Sequence, residues 1–532
     1  MNKKEYLVRN SIKNSTFSFL GSVAGVLISL FIAGYSIKRL GEGLAGFIML
    51  TQSILVFSSG FFSFGLGPTA IKEISSAIII KDDEKIKKVI EVTTFVNCVL
   101  AIIIAFAFAL FAFKIFVWSK LSIEYKTEAV LSCYFYAATF AIGLGLNSYT
   151  AVMPAFQRYD FVSIQNTTNT LFTNGIQVLV LIYFPSILKL SIGTFVAAII
   201  NSIILIILTR KLVGKIYFPK WDYKIFKGLI NFSSYMFFTQ CGYLERDYID
   251  RWMLNGLKGA EALPGYVIGQ SLINKIRGFL NNIVHFVFPM FSSESQVIDK
   301  EKLFIAYDKL EWIVTFSAAS IFSIAAINAH WILAHWITSD FAVKYSIILQ
   351  IACLQGVISV LTIIPYFACL GLNKPANILI EAIITGNLVV VLAIVLLPRF
   401  GILGLAIGQL LTNIIASIVF LYLFKRNIYS NIKFSRILNP AVPALVLNIP
   451  FIIIAILSNL YRTYSIYSFS MIQILDITFI SAYLIYILFE KKIFIKSGRF
   501  EIIIYTVKIA KTIFSEGIEK MKSKRLLYRN KF

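Results

Sequence analysis

Charge is scarce in this sequence. Only 14% of its 532 residues are Asp, Glu, Lys or Arg, and 27 acidic residues stand against 50 basic ones. That is too little to dress the surface of a water-soluble chain of this size. Histidine is nearly absent, with 3 residues. The five cysteines, Cys98, Cys133, Cys241, Cys353 and Cys369, each fall in a different apolar stretch without CxxC spacing. This pattern excludes a Cys/His metal cluster and reads as buried packing residues. No Walker sequence is present, so ATP hydrolysis has no phosphate loop to use, and no cofactor is implied. The net charge of +23 sits in loops and in the tail, where membrane orientation accounts for it and nucleic acid does not.

Apolar residues fill the space that charge leaves: 58% of the chain is hydrophobic and the mean hydropathy is +0.79. Runs of about twenty apolar residues predict transmembrane helices near 14–37, 45–67, 93–118, 129–152, 166–185, 189–210, 231–255, 264–289, 311–333, 345–370, 377–398, 401–424, 440–461 and 468–490, fourteen in all. The first is too long for a signal-peptide core and lacks a small-residue cleavage site, so it is expected to stay as a helix. Of the 50 basic residues, 36 fall on the side of the N-terminus and 10 on the other, which predicts that both termini are cytoplasmic. The outer loops on this count are no longer than roughly fifteen residues, leaving no room for an extramembrane catalytic domain.

An internal echo organises the chain. Leu40-Gly41-Glu42 through Gly46-Phe47 and Gln52-Ser53 returns as Leu257-Lys258-Gly259 through Gly265-Tyr266 and Gln270-Ser271. Six predicted spans separate the copies, so both halves enter the membrane in the same direction, as in parallel-repeat transporters with a central cleft. The expected division is an N-lobe over 1–220, a C-lobe over 221–430, two extra spans over 431–490 and a tail over 491–532. Apolar residues recurring among lysines make that tail a basic amphipathic helix suited to the inner leaflet.

The unusual residues lie inside spans. In the seventh, Glu245, Arg246, Asp247, Asp250 and Arg251 interrupt a lipid-length segment. In the eighth, Gln270, Asn274, Arg277, Asn281 and His285 form one polar stripe within an arc of roughly 80°, with Lys275 at similar depth. Intramembrane charge costs at least ~2.5 kcal/mol per group, so such residues normally face a watery cavity or a polar solute. Arg246 with Asp250 and Asp247 with Arg251 are spaced to pair at i and i+4, which leaves open that the charges only lock helices together. The excess of cations favours a phosphate-bearing ligand, which arginine grips bidentately. In the fifth span Asn166, Thr170, Thr173 and Gln177 share a face flanked by Asn169 and Asn174, suited to sugars, to water or to interhelical hydrogen bonds. Asp250, Asp247, Glu381 and Asp476 are candidates for coupling to a proton or sodium gradient. His330 and His335 flank Trp331 and Trp336 and read as an interfacial belt instead of a metal site.

The order and spacing of several short motifs resemble the polysaccharide flippases of the Wzx type. These motifs are Arg39-Leu40-Gly41 with Gly46-Phe47, Phe64-Gly65-Leu66-Gly67 with Ile71-Lys72-Glu73-Ile74, Tyr248-Ile249-Asp250-Arg251-Trp252-Met253-Leu254, and Phe400-Gly401-Ile402-Leu403-Gly404-Leu405-Ala406. The resemblance implies an all-α integral membrane fold of the multidrug, oligosaccharidyl-lipid and polysaccharide (MOP) exporter superfamily: two pseudo-symmetric six-helix lobes plus two C-terminal helices, as in MATE transporters. It implies a non-enzymatic flippase of the bacterial cytoplasmic membrane. Its substrate would be undecaprenyl-pyrophosphate-linked oligosaccharide for O-antigen or capsule, moved from inner to outer leaflet, with membrane lipids, a polymerase and chain-length proteins as partners. Arg251, Lys275, Arg277 and Arg246 would hold pyrophosphate, and Gln270, Asn274, Asn281, Asn166, Thr170 and Gln177 would contact sugar. The alternatives are a cation-coupled multidrug exporter of the same fold and a non-transporting component or enzyme of glycan assembly.

Overall fold

A computed structural model describes residue 25 and residues 28–428, apart from 64, 285–299, 373 and 375. No strand occurs among the described residues. The chain runs through α1 (28–40), α2 (Glu42–Phe62), α3 (Leu66–Ile80), α4 (Asp83–Leu110), α5 (Ala112–Ser119), α6 (Lys126–Gly145), α7 (Asn147–Ala155), α8 (Tyr159–Tyr183) and α9 (Ile187–Val213). It continues through α10 (Tyr223–Leu244), a π turn (Glu245–Ile249), α11 (Asp250–Lys258), α12 (Leu263–Val284), α13 (Lys300–Ile327), α14 (Ala329–Trp336), α15 (Ser339–Val360), α16 (Ile363–Gly371) and α17 (Ala376–Ile428). Helix starts carry their own caps. Asp82 accepts from the Lys85 amide at 2.8 Å, Asp222 from the Lys224 amide at 2.9 Å, and Thr338 from the Phe341 amide at 3.2 Å, each satisfying a donor that the helix leaves unpaired.

Seven of these helical segments, among the described residues, are long and apolar enough to cross a membrane. Helices α8, α10 with α11, and α12 have the length but carry polar residues at helical spacing. These are the segments in which the sequence places its charged and amide stripes. The chain is a multi-pass membrane protein, and the described parts of the first twelve predicted spans run mainly along helix, the first from residue 28 and the eighth to residue 284. Spans thirteen and fourteen, the basic tail, Asp476 and His285 lie outside the described residues.

The longest helix is two spans in one. Its 53 residues correspond to about 80 Å of rise, more than twice a hydrocarbon core. The break falls at Gly401, with φ 60° and ψ −138°. Beyond it the chain doubles back: a Cβ on Gly404 would strike the carbonyl of Leu396, and one on Gly408 would touch Leu392 Cβ at 3.4 Å. The glycines thus let two antiparallel segments approach closely, matching the predicted spans eleven and twelve.

Glycine also carries the internal echo. Gly41 (φ 85°, ψ 166°) precedes α2, and Gly259 (φ 84°, ψ 177°) precedes the short 3-10 turn that leads into α12. Both occupy the same backbone region, which is essentially open to glycine alone. Five and six residues on, Gly46 packs directly under the Ala260 carbonyl and Gly265 under the ring of Tyr345. The next residues, Phe47 and Tyr266, are fully buried. Around this end of the molecule the two copies are stitched together: Asn255 donates to the Trp118 carbonyl at 3.0 Å, Lys120 to the Leu257 carbonyl at 3.0 Å, and Tyr345 to Glu42 at 2.9 Å.

Two features depart from the sequence expectation. Helix α3 is an extra element between the second and third spans, its face of Leu66, Ala70, Ile74 and Ala77 buried against α4 and α7. Trp336, read from the sequence as part of an interfacial belt, packs over Gly34 of α1, a contact the sequence did not indicate. The close approach at Gly46 gives a direct test. Gly46→Val forces the Ala260 turn away and is expected to lower the thermal unfolding midpoint of detergent-purified protein by several degrees. Gly67→Ala, where a Cβ meets nothing within 4 Å, should leave it within about a degree.

Candidate functional site

The π turn between α10 and α11 builds the charged corner. A wide turn takes backbone carbonyls out of the regular ladder, and each needs another donor. Nε2 of Gln409, from the second half of α17, supplies one by donating to the Arg246 carbonyl at 2.9 Å. The same amide donates to the Asp250 carboxylate at 2.8 Å, and the Arg251 amide donates to it at 2.7 Å. The hydroxyl of Tyr266 in α12 completes the set. Asp250, 1% exposed, is therefore held by three fixed donors. A buried carboxylate is tolerable only when its lone pairs are met in this way.

The i and i+4 ion pairs expected from the sequence do not form. Arg246 instead donates from Nε to its neighbour Asp247 at 2.8 Å, with its guanidinium 4.9 Å from the centre of the Tyr243 ring. Arg251 lies over Tyr248 at 5.0 Å, and its Nε is buried without a partner. Asp250 is instead engaged by two side chains and a backbone amide, and Arg246 by the nearer carboxylate of Asp247. Glu381 of α17, isolated in the sequence, accepts from Tyr243 Oη at 2.9 Å.

Helix α12 faces three neighbours at once. Gln270 and Gln355 of α15 exchange amide hydrogen bonds at 2.9 and 3.3 Å, deep in the packing. Lys275 Nζ donates to Ser29 Oγ of α1 at 2.6 Å, and Arg277 Nη2 to Thr362 Oγ1 at 3.3 Å. Asn274 is exposed and Asn281 partly so. Arg277 is within electrostatic reach of Arg246, Asp247, Glu381 and Tyr243, so the charges of spans seven, eight and eleven share one region. Among the described residues, Lys275, Arg277 and Arg251 have no carboxylate within ion-pair distance. Asp250, Asp247 and Glu381 each have a donor of their own.

The fifth predicted span, α8, also has a polar face, turned differently from the expectation. Gln165, Asn169, Thr173 and Gln177 line a cavity of about 440 Å³ between α2, α6, α7, α8 and α9. Asn166 and Thr170 do not: Asn166 is exposed, and Thr170 sits against Gly25. The two sets are one residue, about 100°, apart around the helix.

This arrangement of helices is shared with known proteins. The family described as Polysaccharide biosynthesis protein matches residues 11–295. The chain belongs to that family. The chain is 24% identical over 426 residues, 79% of its own length and 99% of the relative's, to a Shigella flexneri protein named "Putative O-antigen transporter". An inward-facing MATE family multidrug resistance transporter of the MOP superfamily has a TM-score of 0.65 at 14% identity, covering 77% of this chain and 98% of that one. Lipid II flippase MurJ, inward closed, has a TM-score of 0.65 at 14% identity over 91% of this chain and 100% of that one. Over its described residues the chain thus has the all-α fold of these MATE and MurJ structures.

Of the partners that complete the corner, Tyr266 enters the sequence reading only as part of the glycine echo, and Gln409, Gln355 and Thr362 do not enter it. Gln409 and Asn413 four residues later, polar in an otherwise apolar span, were the available signal. Gln409→Leu strands both the Arg246 carbonyl and a lone pair of Asp250. The expected cost is about 1–3 kcal/mol, read as a lower midpoint in thermal unfolding of the purified protein.

Proposed function

We propose that this chain is a flippase that carries undecaprenyl-pyrophosphate-linked oligosaccharide from the inner to the outer leaflet of the bacterial cytoplasmic membrane, with both termini cytoplasmic, by alternating access between two six-helix lobes. The observation that carries the reading is the imbalance of partners at membrane depth. Asp250, Asp247 and Glu381 each have a hydrogen-bond donor, whereas Arg251, Lys275 and Arg277 are met only by hydroxyls, an aromatic ring or nothing. A cation held in hydrocarbon without an anion is costly, and a diphosphate is the kind of ligand that relieves it through charge-assisted, bidentate hydrogen bonds. A cationic drug would meet the opposite: unneutralised positive charge, with Asp250, Asp247 and Glu381 already engaged.

Further support comes from the two glycine-led repeats, stitched together at one end. By the distribution of basic loops that end faces outward, which corresponds to a cleft accessible from the cytoplasm, where the lipid-linked substrate is made. The conserved use of one backbone conformation at Gly41 and Gly259 fits a parallel pair of lobes over 1–220 and 221–430. In this reading Asp250 and Glu381, buried and held by neutral donors, are the coupling candidates for protons or sodium, and membrane lipid surrounds the polyprenyl chain.

Deleting the gene is expected to leave lipid-linked repeat units accumulated on the cytoplasmic face, measured by lipid extraction and protection from an external glycosidase. Complementation with Arg277→Ala should fail to restore glycan export at normal expression, while Arg277→Lys restores part of it. Full export by the alanine variant removes Arg277 from the site. Resistance to cationic dyes with glycan export unchanged overturns the flippase reading.

A further inference from the structure

The connector between the two repeats, residues 214–222, carries charge that the corner does not use. Gly214, with φ 76°, ends α9 and Asp222 caps α10, so the chain passes from one predicted lobe to the other without helix. From Arg210 to Lys227 the sequence places six basic residues, Arg210, Lys211, Lys215, Lys220, Lys224 and Lys227, against one acid, Asp222. All six are exposed. Asp222 does not serve them, because its carboxylate is taken by the backbone amides of Lys224 and Ile225 at 2.9 and 3.2 Å. Among the described residues, none of the six forms an ion pair.

Lysines on the adjoining helix are treated differently. Lys85, Lys87 and Lys88 of α4 pair with Glu73, Glu91 and Glu84 at 2.8, 3.8 and 2.8 Å. Both groups lie at the same end of the molecule, since the Lys220 amide donates to the Glu91 carbonyl at 3.3 Å. Membrane orientation counts lysine and arginine whether or not acids accompany them. It therefore accounts for both groups alike and not for the difference between them.

The connector is also fixed in place with apolar side chains left bare. Tyr149 Oη of α7 donates to the Tyr217 carbonyl, and Trp221 lies between Phe95 and Phe226, with ring centroids at 5.6 and 4.8 Å. Ile216, Phe218 and Tyr223 remain exposed, Phe218 by 79% and Tyr223 by 64%. Rings and an aliphatic side chain interleaved with cations match the headgroup layer of a bilayer, where aromatics sit at the interface and lysine stems lie on apolar surface with the ammonium at the phosphates.

We propose that this connector docks on anionic phospholipid of the cytoplasmic leaflet, so that lipid headgroups hold the junction between the two repeats. The side follows from the distribution of basic loops. Cations spread over eighteen residues suit several singly charged headgroups better than one free anion, and each contributes about fivefold in affinity for a charged leaflet. The inference holds whatever the chain transports.

The test places the full chain in phosphatidylcholine vesicles containing about a third phosphatidylglycerol, with bromine on the acyl chains of one lipid or the other. Quenching of Trp221 is read as the difference between wild type and Trp221→Phe. At equal content, brominated phosphatidylglycerol is expected to quench about twice as strongly as brominated phosphatidylcholine, and raising salt from about 0.05 to 0.5 M should remove the preference. Lys215→Gln, Lys220→Gln and Lys224→Gln combined should abolish it. Lys85→Gln, Lys87→Gln and Lys88→Gln combined remove as many lysines and should leave it intact. Equal quenching by the two lipids, a preference insensitive to salt, or equal loss in both triple variants overturns the proposal. Loss of the preference on adding inorganic phosphate or poly-glutamate at constant ionic strength also overturns it, identifying a site for a free anion or for an acidic protein instead. If the connector variant does not fold, the salt titration and the two competitors decide the matter on the wild type.

Discussion

An ionised group placed in hydrocarbon must find a partner or carry a large desolvation penalty, and the organisation of this molecule follows from how that demand is met. Asp250 is met by Tyr266, Gln409 and the Arg251 amide. These partners come from α12, from the far half of α17 and from α11 itself, so satisfying one carboxylate ties three elements of the second repeat together. Glu381 repeats the device with Tyr243, joining α17 to α10. The carboxylates thus act as joints. Of the cations, Arg246 pairs with Asp247, while Arg251, Lys275 and Arg277 are held by a ring face or by hydroxyls that orient a charge without neutralising it.

The same logic decides how much could be read from the chain. Spans were legible because twenty-residue apolar runs have no soluble use in such density, and the described parts of the first twelve run mainly along helix. The repeat was legible as glycine spacing, and the matching φ and ψ of Gly41 and Gly259 give it a physical basis that letter similarity lacked. What periodicity could not supply was partner choice. Arg246 and Asp250 have the spacing of an ion pair, yet Asp250 is claimed by Gln409, 159 residues away. Intrahelical spacing says which groups can meet, and tertiary donors decide which do. The π turn at Glu245–Ile249 was equally hidden, since nothing in a run of alternating charge marks a five-residue turn.

The α8 face is a finer case. Its polarity was plain in the sequence, but a stripe of amides and hydroxyls covers more than a third of the helix circumference, and either edge could have been the wetted one. Packing settled it. Thr170 was taken up against Gly25 and the face one residue away was left to the cavity. When a helix is polar over a wide arc, the small residue on the neighbouring helix, here a glycine, determines which edge is closed.

Placing the charged corner and the neutral cavity on either side of α2 has a mechanical consequence. Helix α2 is gripped near its start, where Gly46 sits under Ala260 and Glu42 accepts from Tyr345. Midway along, Ser53 accepts from Trp252 of α11 and Phe57 packs on the same indole. A shift of the second repeat, in which the corner is embedded, therefore acts on α2 through backbone-close contacts that have little slack, because glycine packing leaves no side chain to absorb the motion. The opposite face of α2 is the cavity wall. Any displacement of α11 or α12 must then either carry the cavity wall with it or break the seam at Gly46.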